Sequence, residues 1–129
     1  FGGDGWESDT LVKIGGDAVE GHYFSTHYAA DAASPKVTAF VEAYKKRYNG
    51  KVPDAMAALG YDSAFFLADA IKRAGTTEGA KLRDALAATK EFDAVTGKMT
   101  MNAQRDAVKS AVILQVKGGK FAFVETVNP

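Results

Sequence analysis

The sequence predicts an α/β fold, and three observations predict it. The candidate elements run strand, helix, strand, three helices and then strands, an order that belongs to mixed rather than all-α or all-β chains. The apolar residues recur at helical spacing up to about Phe92 and alternate afterwards. Two β-rich runs at the carboxyl end are separated by Lys117-Gly118-Gly119-Lys120, which makes a β-hairpin with a glycine turn. At 129 residues, 47% hydrophobic and 25% charged, the chain has the make-up of one ordinary domain and enough apolar residues for a core.

Each element has a local reason. Phe1-Gly2-Gly3 reads as the tail of a strand whose earlier residues are absent, which predicts a fragment or a processed product. Ser8 is the N-cap of a short helix carrying Leu11, Val12 and Ile14, stopped by Gly15-Gly16. Val19 to Ser25 mixes β-branched and aromatic residues as a strand does, and Thr26 to Ala33 is a small, polar connection. Ser34-Pro35 places cap and first-turn proline in the favoured order. Behind them Val37, Phe40, Val41, Tyr44 and Tyr48 form one helical face, ended by Asn49-Gly50.

Pro53-Asp54 opens the longest helix, through Met56, Leu59, Phe65, Phe66, Leu67 and Ile71 to Gly75. Its apolar residues predict deep burial, with Tyr61 and the Phe65-Phe66 pair as core. A further helix over Glu78 to Thr89 sets Leu82, Ala85 and Leu86 on one side. Gly97 to Met101 alternates as a short strand, Asn102 to Asp106 is a polar turn, and Ser110 to Val116 pairs with Phe121 to Val127 in the hairpin.

Composition narrows the function. Sixteen basic and sixteen acidic residues cancel, so no net field draws nucleic acid or an anionic membrane. The absence of cysteine excludes disulfides and thiolate metal sites, and fits either a reducing compartment or a periplasmic protein that does without disulfides. No apolar run is long enough to span a bilayer. With the abrupt start, the lack of a signal peptide says little about compartment.

The chemistry-bearing residues are few. His22 and His27 are the only histidines, with no carboxylates at metal-ligand spacing. Ser25 lies between them without a nucleophile-elbow pattern. Gly2-Gly3-Asp4-Gly5 lacks both the lysine-serine/threonine ending of a phosphate loop and the dinucleotide glycine spacing. No cofactor is implied, and no catalytic pair. Asp4 remains, flanked by glycines that let the backbone turn sharply and approach a ligand, with Trp6 beside it. It is either a turn aspartate bonded to its own backbone or a carboxylate aimed into a cleft. Met56 on an alanine-rich helix reads first as core filler.

Five stretches together carry a resemblance: Gly2-Gly3-Asp4-Gly5-Trp6, Val19-Glu20-Gly21, Phe40 to Lys45, Pro53 to Asp62, and Val95-Thr96-Gly97-Lys98. In order and spacing the chain resembles the C-terminal part of the branched-chain amino-acid-binding proteins, type I periplasmic binding proteins that serve ABC transporters. The resemblance implies two flavodoxin-like α/β lobes, joined by three crossings, that close over the ligand. Pieces of both lobes would be present. Residues 1–25 and 110–129 would belong to the C-terminal lobe and 34–101 to the N-terminal lobe, with 26–33 and 106–109 as hinge crossings.

It further implies that Asp4 holds the ligand's α-ammonium, that Met56 touches its side chain at the cleft edge, and that Trp6 is a wall of the cleft. The hydroxyls that hold the carboxylate would lie upstream of Phe1, leaving half a site. The implied partners are a small-molecule amino acid, an ABC transporter permease, and either the remaining part of the parent chain or a second copy exchanging elements; no nucleic acid is implied. The implied location is periplasmic, or extracellular and membrane-anchored in a Gram-positive cell. A ligand-sensing domain of the same fold in a regulator or receptor would share every motif, whereas an enzyme would need a catalytic pair that is missing. Two expectations follow from half a site: the chain associates, and it binds amino acids weakly or not at all when alone.

Overall fold

The computed structural model describes residues 1–129 as two small sheets with helices against them. A one-turn 3₁₀ helix at Asp4–Trp6 precedes α1 (Asp9–Gly15), and another at Gly16–Val19 leads to β1 (Tyr23–Thr26). Then come α2 (Pro35–Arg47), α3 (Ala55–Ala74) and α4 (Gly79–Ala87). The chain ends in β2 (Phe92–Ala94), β3 (Gly97–Met101), β4 (Ala107–Lys109), β5 (Ala111–Lys117) and β6 (Lys120–Val127). The strand expected from Val19 is shorter, because Gly16–Val19 closes into a helical turn first.

One sheet has the order β1-β5-β6, all antiparallel, and Gly2 bridges Phe24 in parallel at its free edge. The expected hairpin is β5 and β6, turning on Gly118 and Gly119, both at positive φ, where glycine is the unstrained choice. In β5 the side chains alternate, so that Val112, Leu114 and Val116 are buried with Phe24 and Ala29. Trp6, Leu11, Val12, Val19 and Phe121 close over this cluster.

The second sheet, β2-β3-β4, contains two three-residue strands too short for a periodicity to reveal. Tyr28, Val37, Phe40, Val41, Ala55, Ala58 and Val95 form the second cluster, and Ala32 packs against both clusters. Asp62 of α3 accepts the backbone N–H groups of Val95 (2.7 Å) and Thr96 (2.9 Å), which pins the β2-β3 turn to the helix.

The helix ends follow local chemistry. Ser8 accepts from Thr10 N–H, Asp54 from Ala57 N–H, and Gly75 ends α3 in the left-handed conformation. Ser34 occupies the cap position of α2 without a side-chain bond. One expectation is corrected: α3 is not deeply buried. Only Ala55, Ala58, Asp62 and Ala70 are, whereas Met56, Tyr61, Phe65 and Leu67 are exposed and Phe66 is half-buried against Phe92. Helical spacing identifies an apolar face but not what covers it, and here an aromatic run from Tyr28 through Phe40 and Tyr61 to Phe65 ends in solvent. No helix is long and apolar enough to cross a membrane.

Candidate functional site

Gly2 anchors the amino-terminal loop to the sheet. Its N–H donates to Tyr23 O (2.9 Å) and its carbonyl accepts from Ser25 N–H (3.1 Å). The chain then turns through Asp4–Trp6, with Trp6 N–H on Gly3 O (3.0 Å) and Glu7 N–H on Asp4 O (3.0 Å). The indole of Trp6 folds back beneath Gly2, half-buried against the first cluster and tilted on His22 at 6.4 Å. A methyl group on Gly2 would meet that ring at 2.2 Å, so glycine is required here by the tryptophan. Gly3 and Gly5 have open space around them and no positive φ. The loop is therefore shaped by Gly2 and Trp6, not by the two glycines beside Asp4.

Asp4 makes no bond to its own backbone through its side chain. Its Oδ2 lies 3.3 Å from His27 Nε2, and more than half of the side chain is exposed. Gly3, Asp4, Ser25, Thr26, His27 and Lys109 line a depression of ≈ 370 Å³. Lys109 Nζ donates to the carbonyl of His27 (3.2 Å), and burial holds its amine below the usual lysine range against the opposing pull of Asp62. Neither histidine is bonded to a hydroxyl, since His22 Nδ1 faces Glu20 O at 3.3 Å. No group of three or more metal-ligating side chains is assembled.

Glu7, which the sequence left unremarked, is the most constrained carboxylate nearby. One oxygen accepts from the Thr26 hydroxyl and the other from Ala55 N–H at 2.9 Å. Burial pushes its carboxyl above the ordinary value of 4.5; the two hydrogen bonds oppose this, and the charges of Asp54 and Asp4 add to it. Tyr28 donates to Pro53 O, and burial with the charges of Glu7 and Asp54 pushes its phenol far up. A larger cavity of ≈ 530 Å³ beside them is lined by Glu7, Asp31, Asp54, Val12, Lys120 and Phe121.

The expected site residues are thus partly gathered. Asp4 and Trp6 share one turn, the first facing out and the second inward onto its own cluster. Met56 is exposed on the first turn of α3, one residue beyond the amide that Glu7 holds. Pairing across 48 residues leaves no periodic trace, so Glu7 was not legible; the sole hint is an acidic residue just ahead of the Ser8 cap.

Residues 1–120 match the sequence family described as periplasmic binding protein. Among solved structures, the leucine-binding protein LivK of Thermotoga maritima MSB8 is 43% identical, with a TM-score of 0.88 over 98% of this chain and 36% of its own. LivJ of Streptococcus pneumoniae, a branched-chain amino acid transporter substrate-binding protein solved with isoleucine, is 33% identical, with a TM-score of 0.84 over 98% of this chain and 36% of its own. A solute-binding protein of an ABC transporter from R. palustris, solved with benzoate, is 26% identical, with a TM-score of 0.76 over 92% of this chain and 33% of its own. The chain spans about a third of the length of these relatives.

Proposed function

Since the chain belongs to the periplasmic binding protein family, whose members are solute-binding proteins rather than enzymes, we propose that it forms part of the solute-binding component of an ABC importer for branched-chain or similar amino acids. Asp4 is the ammonium clamp, and Met56 contacts the ligand side chain. The observation that carries this reading is the state of Asp4. It is an exposed carboxylate on a turn braced from below by Trp6, with one 3.3 Å partner that an ammonium group can replace. Trp6 then serves the cleft as the underlay of the turn.

Two features support a two-lobed arrangement. The first core cluster draws on residues 6–32 and 112–121, the second on 28–95, and the chain passes between them along the segment after β1 and again along β4, the last strand before β5. Residues 1–25 with 110–129 form part of one lobe, 34–101 part of the other, and 26–33 and 106–109 are crossings, the second of which includes β4. The permease of the importer, the remaining two thirds of a full-length binding protein and a periplasmic or cell-surface location belong to the same proposal.

The R. palustris solute-binding protein was solved with benzoate, a ligand without an amine. An amine-free ligand has no use for a free carboxylate at this position, so Asp4 favours the amino acid. Calorimetric titration of the full-length protein with leucine, isoleucine and valine tests the reading. Asp4→Ala lowers affinity about a hundredfold or more, as loss of one partner of a desolvated charge pair does. Unchanged affinity would refute the clamp, and benzoate binding in place of leucine would refute the ligand class.

A further inference from the structure

We infer that Glu7 is a positioning residue: it ties the Asp4 turn to the amino end of α3 and so sets the separation of Asp4 and Met56. The inference rests on the reading of those two residues as ligand contacts. Glu7 lies three residues after Asp4, and Ala55 immediately precedes Met56. The bond from Ala55 N–H to Glu7 Oε1 is the one hydrogen bond that directly joins residues 1–26 to residues 35–101. Every other polar tie between the two parts runs through the crossing segments, as Tyr28 to Pro53 and Lys109 to His27 do.

The helix end explains why a carboxylate is used. The first N–H groups of α3 have no partner inside the helix, and its 20 residues direct a positive partial charge at them. Asp54 satisfies Ala57 N–H from within the same segment. Ala55 N–H is satisfied by a side chain from 48 residues away, through a charge-assisted bond. Ala55 is buried in the second cluster, so without a protein partner its N–H would be cut off from solvent. Glu7 supplies that partner from a half-buried position where Asp54 and Asp4 repel its charge, and the Thr26 hydroxyl holds its second oxygen. A bond made against burial and like charge fixes one arrangement of the two parts among those that the crossings permit.

The test uses the full-length protein containing this chain. Spin labels at Ile14 and Lys72, both exposed, report the separation of the two parts, and this chain contributes no competing cysteine. Amide exchange reports Ala55. Glu7→Ala is expected to broaden the label distances, to speed Ala55 exchange about tenfold or more, as loss of a charge-assisted bond does, and to weaken leucine binding about tenfold. Thr26→Val keeps the Ala55 bond and changes exchange less. Should Glu7→Ala fail to fold by circular dichroism, Glu7→Gln, which keeps the shape and loses the charge, is expected to speed Ala55 exchange severalfold.

Unaltered label distances and Ala55 exchange in both Glu7 variants would overturn the inference, whatever happens to binding. If those two readouts move while Asp4→Ala leaves leucine affinity intact, the tie stands and the amino-acid reading fails. If Asp4→Ala abolishes binding and Glu7→Ala changes nothing, the reverse holds.

Discussion

Replacing Gly2 by alanine tests how the amino-terminal turn is built. The added Cβ would lie 2.2 Å from Trp6 Cδ2 and 2.6 Å from both Cε2 and Cγ. Ordinary contact begins near 3.4 Å, so a rigid ring must retreat by about an ångström or more. The backbone cannot yield instead, because Gly2 is bonded on both sides to β1, through Tyr23 O and Ser25 N–H. The indole would have to leave its place over the first cluster, an overpacking cost of about 1–3 kcal/mol.

Asp4 moves with it, being on the same turn. Trp6 is the single tryptophan of these 129 residues, so in the 129-residue chain its emission reports the displacement without interference. Urea unfolding followed by that emission is expected to show Gly2→Ala destabilised by this amount and red-shifted in the native state, with leucine affinity of the full-length protein reduced. Gly3→Ala, at φ −98° with open space around it, is the control and changes stability by about 0.5 kcal/mol or less. Equal stability and equal emission in the two variants would refute the argument.

Three further outcomes are expected. Asp62→Ala strands the buried N–H groups of Val95 and Thr96 and costs about 3–5 kcal/mol in chemical denaturation, whereas Asp62→Asn keeps one acceptor and costs less. Because Glu7, faced by Asp4, Asp54, Tyr28 and the Thr26 hydroxyl, titrates above 4.5 when folded, the unfolded chain releases its proton first. Its contribution to stability is thus fully present below 4.5 and lost as pH rises through the raised value; unfolding midpoints over roughly pH 4 to 7 should show that slope in the wild type and not in Glu7→Gln. Light scattering of the 129-residue chain alone should find association, since Phe1, Ile14, Tyr61, Phe65 and Leu67 are all exposed; a well-behaved monomer counts against it.

Local features were legible and distant pairings were not. The caps at Ser8 and Asp54, the glycine stop at Gly75 and the β5-β6 hairpin all follow from interactions within a few residues, which sequence displays directly. The period of α3 identified an apolar face, but Tyr61 and Phe65 lie in solvent, since a period carries no information about the partner surface. Strands β2 and β4 are three residues each, below the length at which alternation is visible. The glycines beside Asp4 suggested a loop that needs their freedom. The glycine that is needed is Gly2, for a steric reason that only the position of Trp6 reveals.

Of the candidate site, Asp4, Trp6 and Met56 came from resemblance, and the structure separates Asp4 from the carboxylate three residues away. Both belong to one short stretch of chain, yet they are held differently. Glu7 has each oxygen engaged, by Thr26 and by Ala55 N–H, in a place that disfavours its charge. A further cation there would have to displace bonds that hold α3. Asp4 has one long contact to an imidazole and is otherwise open, so its charge is available without breaking the fold. An ammonium group is bound most favourably by a carboxylate whose existing partners are weak and whose support is rigid. On the proposed reading, recognition falls to Asp4 and geometry to Glu7, and the two roles separate experimentally: Asp4→Ala should remove affinity and leave the label distances unchanged, whereas Glu7→Ala should move those distances first and affinity through them.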